Sequence, residues 1–245
     1  MGELSKKFLH IYETHRQKVA AVEQETLAAL ASLIDDLEGR QVGTAEAPPE
    51  AAATAAAAPA QEVVPVAEIA VTARSRIALI KADITKLPVD AIVNPASRSM
   101  TGGGGIEGAI FAAAGPRIVD DCRALGGCER GEAKITAGHN LPARFVIHTV
   151  GPVWHGGDAG EAAMLGSCYR NSLQVALDNG LKSVAFPAIS TGNFGYPLAD
   201  ATRVAVQETT AFLRSHAGLD RVYLVGFNDE AVQAFSQAML EVSAK

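Results

Sequence analysis

Residues 101–111 carry four consecutive glycines, Gly102, Gly103, Gly104 and Gly105. The run follows directly on an apolar stretch, Ala91-Ile92-Val93-Asn94, and leads directly into another at 106–114. In a free linker such glycines would give only flexibility. Between a strand and a helix they form a loop whose backbone N–H groups point outward with no side chains in the way. The positive end of the following helix then favours an anion such as a phosphate. The spacing is neither G-x-G-x-x-G nor a P-loop, since no Lys-Ser/Thr pair follows, so two common nucleotide fingerprints are excluded.

A second loop has the same construction. The apolar run Val184-Ala185-Phe186-Pro187-Ala188-Ile189 enters Ser190-Thr191-Gly192-Asn193-Phe194-Gly195-Tyr196-Pro197, with a helix expected near Leu198. Two strand–glycine loop–helix units can bring both loops to one carboxyl edge of a sheet, where α/β proteins bind ligands. Strands are expected at 76–81, 91–94, 134–137, 145–150, 183–189 and 221–226, with a weakly alternating edge strand within 63–72. Helices are expected at 105–114, 116–125, 160–179, 199–215 and 229–243. Near-continuous apolar strands alternating with amphipathic helices predict an α/β fold with a largely parallel sheet covered on both faces.

The motifs, in order, are Ala82-Asp83-Ile84-Thr85, Val89-Asp90-Ala91-Ile92-Val93-Asn94, the four-glycine loop, His148-Thr149-Val150-Gly151-Pro152, and Ile189-Ser190-Thr191-Gly192 with Gly195-Tyr196-Pro197. From about 76 to 242 the chain resembles the macrodomain family, nearest the subgroup of ADP-ribosyl hydrolases and O-acetyl-ADP-ribose deacetylases. The resemblance implies a three-layer α/β/α domain with a mixed, mostly parallel sheet. It also implies ADP-ribose, free or on protein, as the ligand, with no cofactor and no metal.

By that resemblance Asp83 and the backbone of Ile84 select adenine; as residues alone they read equally as a turn cap. Phe227, ending the last strand, is placed to stack on a purine or to pack in the core. Gly102, Gly103, Gly104, Gly105 and Ile106 on one side, and Ser190, Thr191, Gly192, Asn193, Phe194, Gly195 and Tyr196 on the other, would grip the diphosphate. Asn94, held extended by Pro95, would aim its amide at the cleft or hold the glycine loop in shape. Two departures touch the catalytic positions. The hydrolases usually show Asn-Ala-Ala-Asn where this chain has Asn94-Pro95-Ala96-Ser97, and an Asp followed one turn later by His where it has Glu107 and Phe111. Hydrolysis by Glu107, with Asn94 and Ser97, and binding without turnover both remain open.

Composition narrows the partners. Residues 1–74 hold 6 basic and 11 acidic side chains, a net of −5, and residues 75–245 hold 15 and 16, a net of −1. A nearly neutral domain has no broad basic surface for nucleic acid, so an anion must be held by local dipoles. No apolar stretch approaches a membrane span, and the first residues lack the features of a secretory signal. Cys122, Cys128 and Cys168 are odd in number with no C-x-x-C pair, and the six histidines show no zinc spacing. The expectation is a cytoplasmic protein with reduced thiols.

Residues 1–38 read as a long amphipathic helix, 39–62 as an Ala/Pro-rich linker, and 63–245 as the macrodomain. Leu4, Phe8, Ile11, His15, Val19, Val22, Thr26, Leu30, Leu33 and Leu37 follow an unbroken 4-3-4 spacing. That eleven-residue repeat, roughly 3.67 residues per turn, keeps one apolar stripe on one face. A stripe of that length needs cover, either by packing on the rest of the chain or by coiled-coil pairing with other copies, and the tether that follows makes pairing the expectation. Light scattering checks it: a full-length protein monomeric across the micromolar range would contradict self-association.

Overall fold

The computed structural model describes residues 64–243. The expected helix at 1–38 and the linker at 39–62 lie outside the described residues.

The apolar runs pair into one seven-stranded sheet. In chain order the strands are β1 (Ala67–Ala70), β2 (Arg76–Lys81), β3 (Ala91–Pro95), β4 (Ala133–Ala137), β5 (Phe145–Thr149), β6 (Ser183–Phe186) and β7 (Arg221–Gly226). Their order across the sheet is β1-β2-β7-β6-β3-β5-β4. The five central strands run parallel, and β1 and β4 close the two sides antiparallel. The sheet is therefore mixed and mostly parallel. The helices are α1 (Gly105–Ala114), α2 (Arg117–Leu125), α3 (Glu161–Asp178), α4 (Leu198–Ser215) and α5 (Asp229–Ser243), with a 3-10 turn at Ile84–Lys86.

Side-chain alternation along the strands sorts the core into two layers. Ile77 and Leu79, Ala91 and Val93, Val184 and Phe186, and Val222 and Leu224 form one buried cluster with α3, α4 and α5. Ile80, Ile92, Val146, Ala185 and Val225 face the other way and pack with Ile110, Phe111, Ile118 and Cys122 of α1 and α2. Each fully buried Val, Leu, Ile or Phe side chain contributes about 1.5–3 kcal/mol. The three cysteines are all buried free thiols. Among the described residues no helix is long and apolar enough to cross a membrane.

The strand expected at 183–189 stops at Phe186. Pro187 has no N–H to give a ladder. The fully buried Tyr169 takes over the next backbone groups: its hydroxyl donates to the Pro187 carbonyl (3.3 Å) and accepts from the Ile189 N–H (3.5 Å). The segment leaves the sheet there and becomes the second glycine loop.

Candidate functional site

β2, β3, β6 and β7 are mutually parallel, so their carboxyl ends lie along one edge. Two adjoining cavities open there. One, of about 580 Å³, is lined by Asp83, Ile84 and Thr85 after β2, by Phe227 and Asn228 after β7, and by Pro187 and Ala188 after β6. The other, of about 300 Å³, is lined by Ser97, Gly103, Gly104, Glu107, Ser190, Asn193 and Phe194. Gly105, Ile106, Ala188 and Gly192 line both. The two glycine loops therefore face each other across the middle of one trough.

Asp83 does what its cap reading predicts. It caps the 3-10 turn, Oδ1 accepting from the Thr85 N–H (2.9 Å) and from Thr85 Oγ1 (2.7 Å). Both bonds fall on one oxygen, and the residue is exposed at the cavity wall. Oδ2 keeps its lone pairs for a donor, so capping and ligand binding are compatible. Phe227 is 78 % exposed and lines the same cavity, so its ring is not core.

Glu107 is buried and lies on the first turn of α1, lining the second cavity. Oε1 accepts from the Ser97 N–H (3.1 Å) and from Ser97 Oγ (3.2 Å), while Oε2 accepts from the Gly103 N–H (3.0 Å). One carboxylate thus clamps the end of β3 and the glycine loop onto α1. A carboxylate offers about four acceptor sites, so Oε2 retains one. Two close approaches make the glycines obligatory: a Cβ on Gly108 would run into the Gly103 carbonyl, and Gly102, at φ +80°, lies against the Phe111 ring. Phe111 is buried edge-on to His148, with ring centroids 6.1 Å apart, and supports the loop from beneath.

Asn94 is not aimed at the cleft. It is fully buried and lines neither cavity, because it shares strand parity with Ile92 and so faces α1 and α2. Its Nδ2 donates to His148 Nδ1 (3.1 Å), which leaves the imidazole proton on Nε2 to reach Thr136 Oγ1 (2.9 Å). Burial pushes the His148 pKa down from 6.5 to about 4. Between those values the unfolded chain takes a proton that the folded chain refuses. Stability is therefore full above pH 6.5 and falls as the pH drops toward 4, by about 3 kcal/mol from this residue. Urea melts at pH 7 and pH 4.5 check this: His148→Gln should lose clearly less stability over that interval than wild type, and an equal loss would exclude His148 as the source.

The second loop is closed by its own backbone. The Gly195 N–H donates to the Gly192 carbonyl (2.9 Å), and the Tyr196 N–H to the Ser190 carbonyl (3.0 Å). Thr191 Oγ1 donates to the Ala188 carbonyl (2.9 Å). Tyr196 is buried with its ring 4.5 Å from that of Trp154, and the Trp154 N–H donates to the Phe194 carbonyl (2.8 Å). Behind Trp154, Glu161 accepts from the N–H groups of His155, Gly157 and Ala159. Its own backbone N–H, together with those three, holds its carboxyl below the usual range. Of the expected loop residues, Thr191 and Tyr196 line the larger cavity, and Gly102 and Gly195 shape their loops without lining either.

The start of α5 contributes residues that were not expected from the sequence. Asn228, Glu230 and Ala231, at the start of α5, line the larger cavity. The signal was available: a helix that begins straight after β7 starts at the same carboxyl edge, and Asn228 Oδ1 caps it through the Ala231 N–H (2.9 Å).

A mostly parallel sheet with two facing glycine loops at its carboxyl edge defines a phosphate-ligand domain. The family model of the Macro domain matches residues 93–205. A macro domain-containing protein of Chlorobaculum tepidum is 53 % identical over 160 residues, 65 % of this chain and 93 % of the relative. An O-acetyl-ADP-ribose deacetylase of Citrobacter koseri is 48 % identical over 172 residues, 69 % of this chain and 97 % of the relative. Among solved structures, the Oceanobacillus iheyensis macrodomain with ADP superimposes with a TM-score of 0.70 at 34 % identity, covering 73 % of this chain and 96 % of that one. The Trypanosoma brucei macrodomain in complex with ADP-ribose gives 0.66 at 42 % identity, covering 71 % and 73 %. The chain belongs to the macrodomain family.

Proposed function

We propose that this macrodomain binds ADP-ribose along the trough and hydrolyses its esters, on mono-ADP-ribosylated protein or as O-acetyl-ADP-ribose. The observation that carries the reading is the continuity of the two cavities through Gly105, Ile106, Ala188 and Gly192, with Asp83 at one end and Glu107 at the other. Adenine fits the larger cavity, where Asp83 Oδ2 accepts from the exocyclic amine and Phe227 covers the ring. The diphosphate lies between the loops, bound by backbone N–H groups and by the start of α1, whose Gly104 N-cap has no side-chain bond. The distal ribose reaches the smaller cavity.

Among the described residues Glu107 is the one ionisable side chain lining that smaller cavity. The remaining acceptor site on Oε2 orients a water and takes its proton as the oxygen adds to the ester carbonyl carbon. The bond from that carbon to the ribose oxygen then breaks, and the ribose oxygen leaves with the proton that Glu107 took from the water, the diphosphate assisting. Asn94 acts from beneath, holding His148 and the end of β3. The relatives named as deacetylases support this reading.

Binding without turnover is the second reading. It is favoured by Phe111, a hydrocarbon ring where the hydrolases carry His, and by Ser97, which engages Glu107 and has a shorter reach than an amide. In it the segment 1–38 assembles copies of the chain and presents the domain as a reader; a cytoplasmic setting, argued from the reduced thiols, serves either reading. The experiment is release of ADP-ribose from an ester-linked substrate. Turnover by wild type supports the hydrolase, and binding with no release over hours supports the reader.

A further inference from the structure

Among the described residues two carboxylates are buried, Glu107 and Glu161. Glu161 lines neither cavity, and among those residues no cationic side chain pairs with it; backbone N–H groups surround it instead. Oε1 accepts from the N–H groups of His155 (3.0 Å) and Gly157 (3.3 Å), and Oε2 from that of Ala159 (2.7 Å). A buried charge is costly unless bonds of this kind meet it, and here they tie residues 155–159 into a closed turn.

That turn follows directly on Trp154, the single tryptophan of the chain. Gly157 sits against the indole: a Cβ there would come within 2.8 Å of a ring carbon. Trp154 in turn holds the second glycine loop at two points. Its N–H donates to the Phe194 carbonyl (2.8 Å), and its ring lies 4.5 Å from the Tyr196 ring, tilted by 54°. Phe194 lines the smaller cavity and Tyr196 the larger. The bonds from Gly195 to Gly192 and from Tyr196 to Ser190 run within the loop, whereas the Trp154 contacts tie it to a neighbouring segment.

We infer that Glu161 is a positioning residue for the second glycine loop: its carboxylate fixes the 155–159 turn, the turn seats Trp154, and Trp154 sets the loop that grips the diphosphate. Glu161 itself touches no ligand. The inference rests on the proposed trough and extends it to a carboxylate outside its walls.

Calorimetry and tryptophan emission on the full chain compare wild type with Glu161→Gln, whose amide N–H groups face backbone donors, so that at least one bond of the turn is lost. ADP and ADP-ribose should bind about 5- to 10-fold more weakly, and AMP, with one phosphate for the loop to grip, within about twofold of wild type. The Trp154 emission should shift to the red as the indole loosens. Trp154→Phe, which thins the contact with Tyr196, should show the same ligand pattern. The double variant should bind no more weakly than the poorer single one, because the two residues act in series. If Glu161→Gln fails to fold, Glu161→Asp, which keeps the charge but reaches less far, carries the test with the same ligand pattern. A merely structural role would weaken all three ligands alike and add to the Trp154→Phe loss. Either of those results, or unchanged ADP affinity or emission, overturns the inference while leaving the trough intact; a wild type that binds none of the ligands overturns both.

Discussion

Glu107→Gln should lower ester turnover at least about 100-fold while leaving ADP affinity within about threefold, the loss expected when a positioned base is removed. Three protein donors converge on this carboxylate: the Ser97 N–H, the Ser97 hydroxyl and the Gly103 N–H. A Gln amide must turn its own N–H groups toward one of these donors, so the substitution loosens the clamp as well as removing the base. Single-turnover release of ADP-ribose from an ester-linked substrate, with ADP calorimetry alongside, checks both parts. Glu107→Asp should also be slower than wild type, since a side chain one methylene shorter cannot span Ser97 and Gly103 together. Wild-type turnover in the Gln variant would remove Glu107 from the mechanism.

The second large effect concerns adenine. Asp83→Asn should weaken ADP-ribose about 10- to 100-fold, the equivalent of about 1.5–3 kcal/mol for a lost charge-assisted bond, with the melting temperature nearly unchanged. The amide oxygen can still accept from the Thr85 N–H and hydroxyl, which keeps the 3-10 turn capped. The amide nitrogen then replaces Oδ2 and meets adenine's exocyclic amine donor to donor. Asp83→Ala should bind equally weakly and be less stable, because it also loses the cap. Adenine-containing ligands bound with wild-type affinity by Asp83→Asn would place adenine elsewhere.

Much of the fold was legible because the apolar runs are long and punctuated. The four-glycine run sits directly before α1, whose expected bounds match the observed Gly105–Ala114, and β2 and β7 begin and end where their apolar patterns do. The end of β6 was less legible, since Tyr169, distant in sequence, takes the backbone groups beyond Phe186. At the site, the gathering of both glycine loops, Asp83 and Phe227 at one edge followed from strand direction. The burial of Asn94 was readable from parity: it stands two residues after Ile92 and must share its covered face. The clamp made by Glu107 was not readable, because it depends on how the chain returns after β3. The left-handed Ser190 gave no local signal, since serine ordinarily avoids that conformation.

Titrating the full-length protein with ADP-ribose, ADP and AMP in the calorimeter shows whether the trough takes ADP-ribose. Saturable binding of one ADP-ribose per chain is expected, tighter than ADP and much tighter than AMP, because each added group occupies a further part of the trough. No measurable heat with millimolar ADP-ribose, or equal affinity for all three ligands, would contradict it.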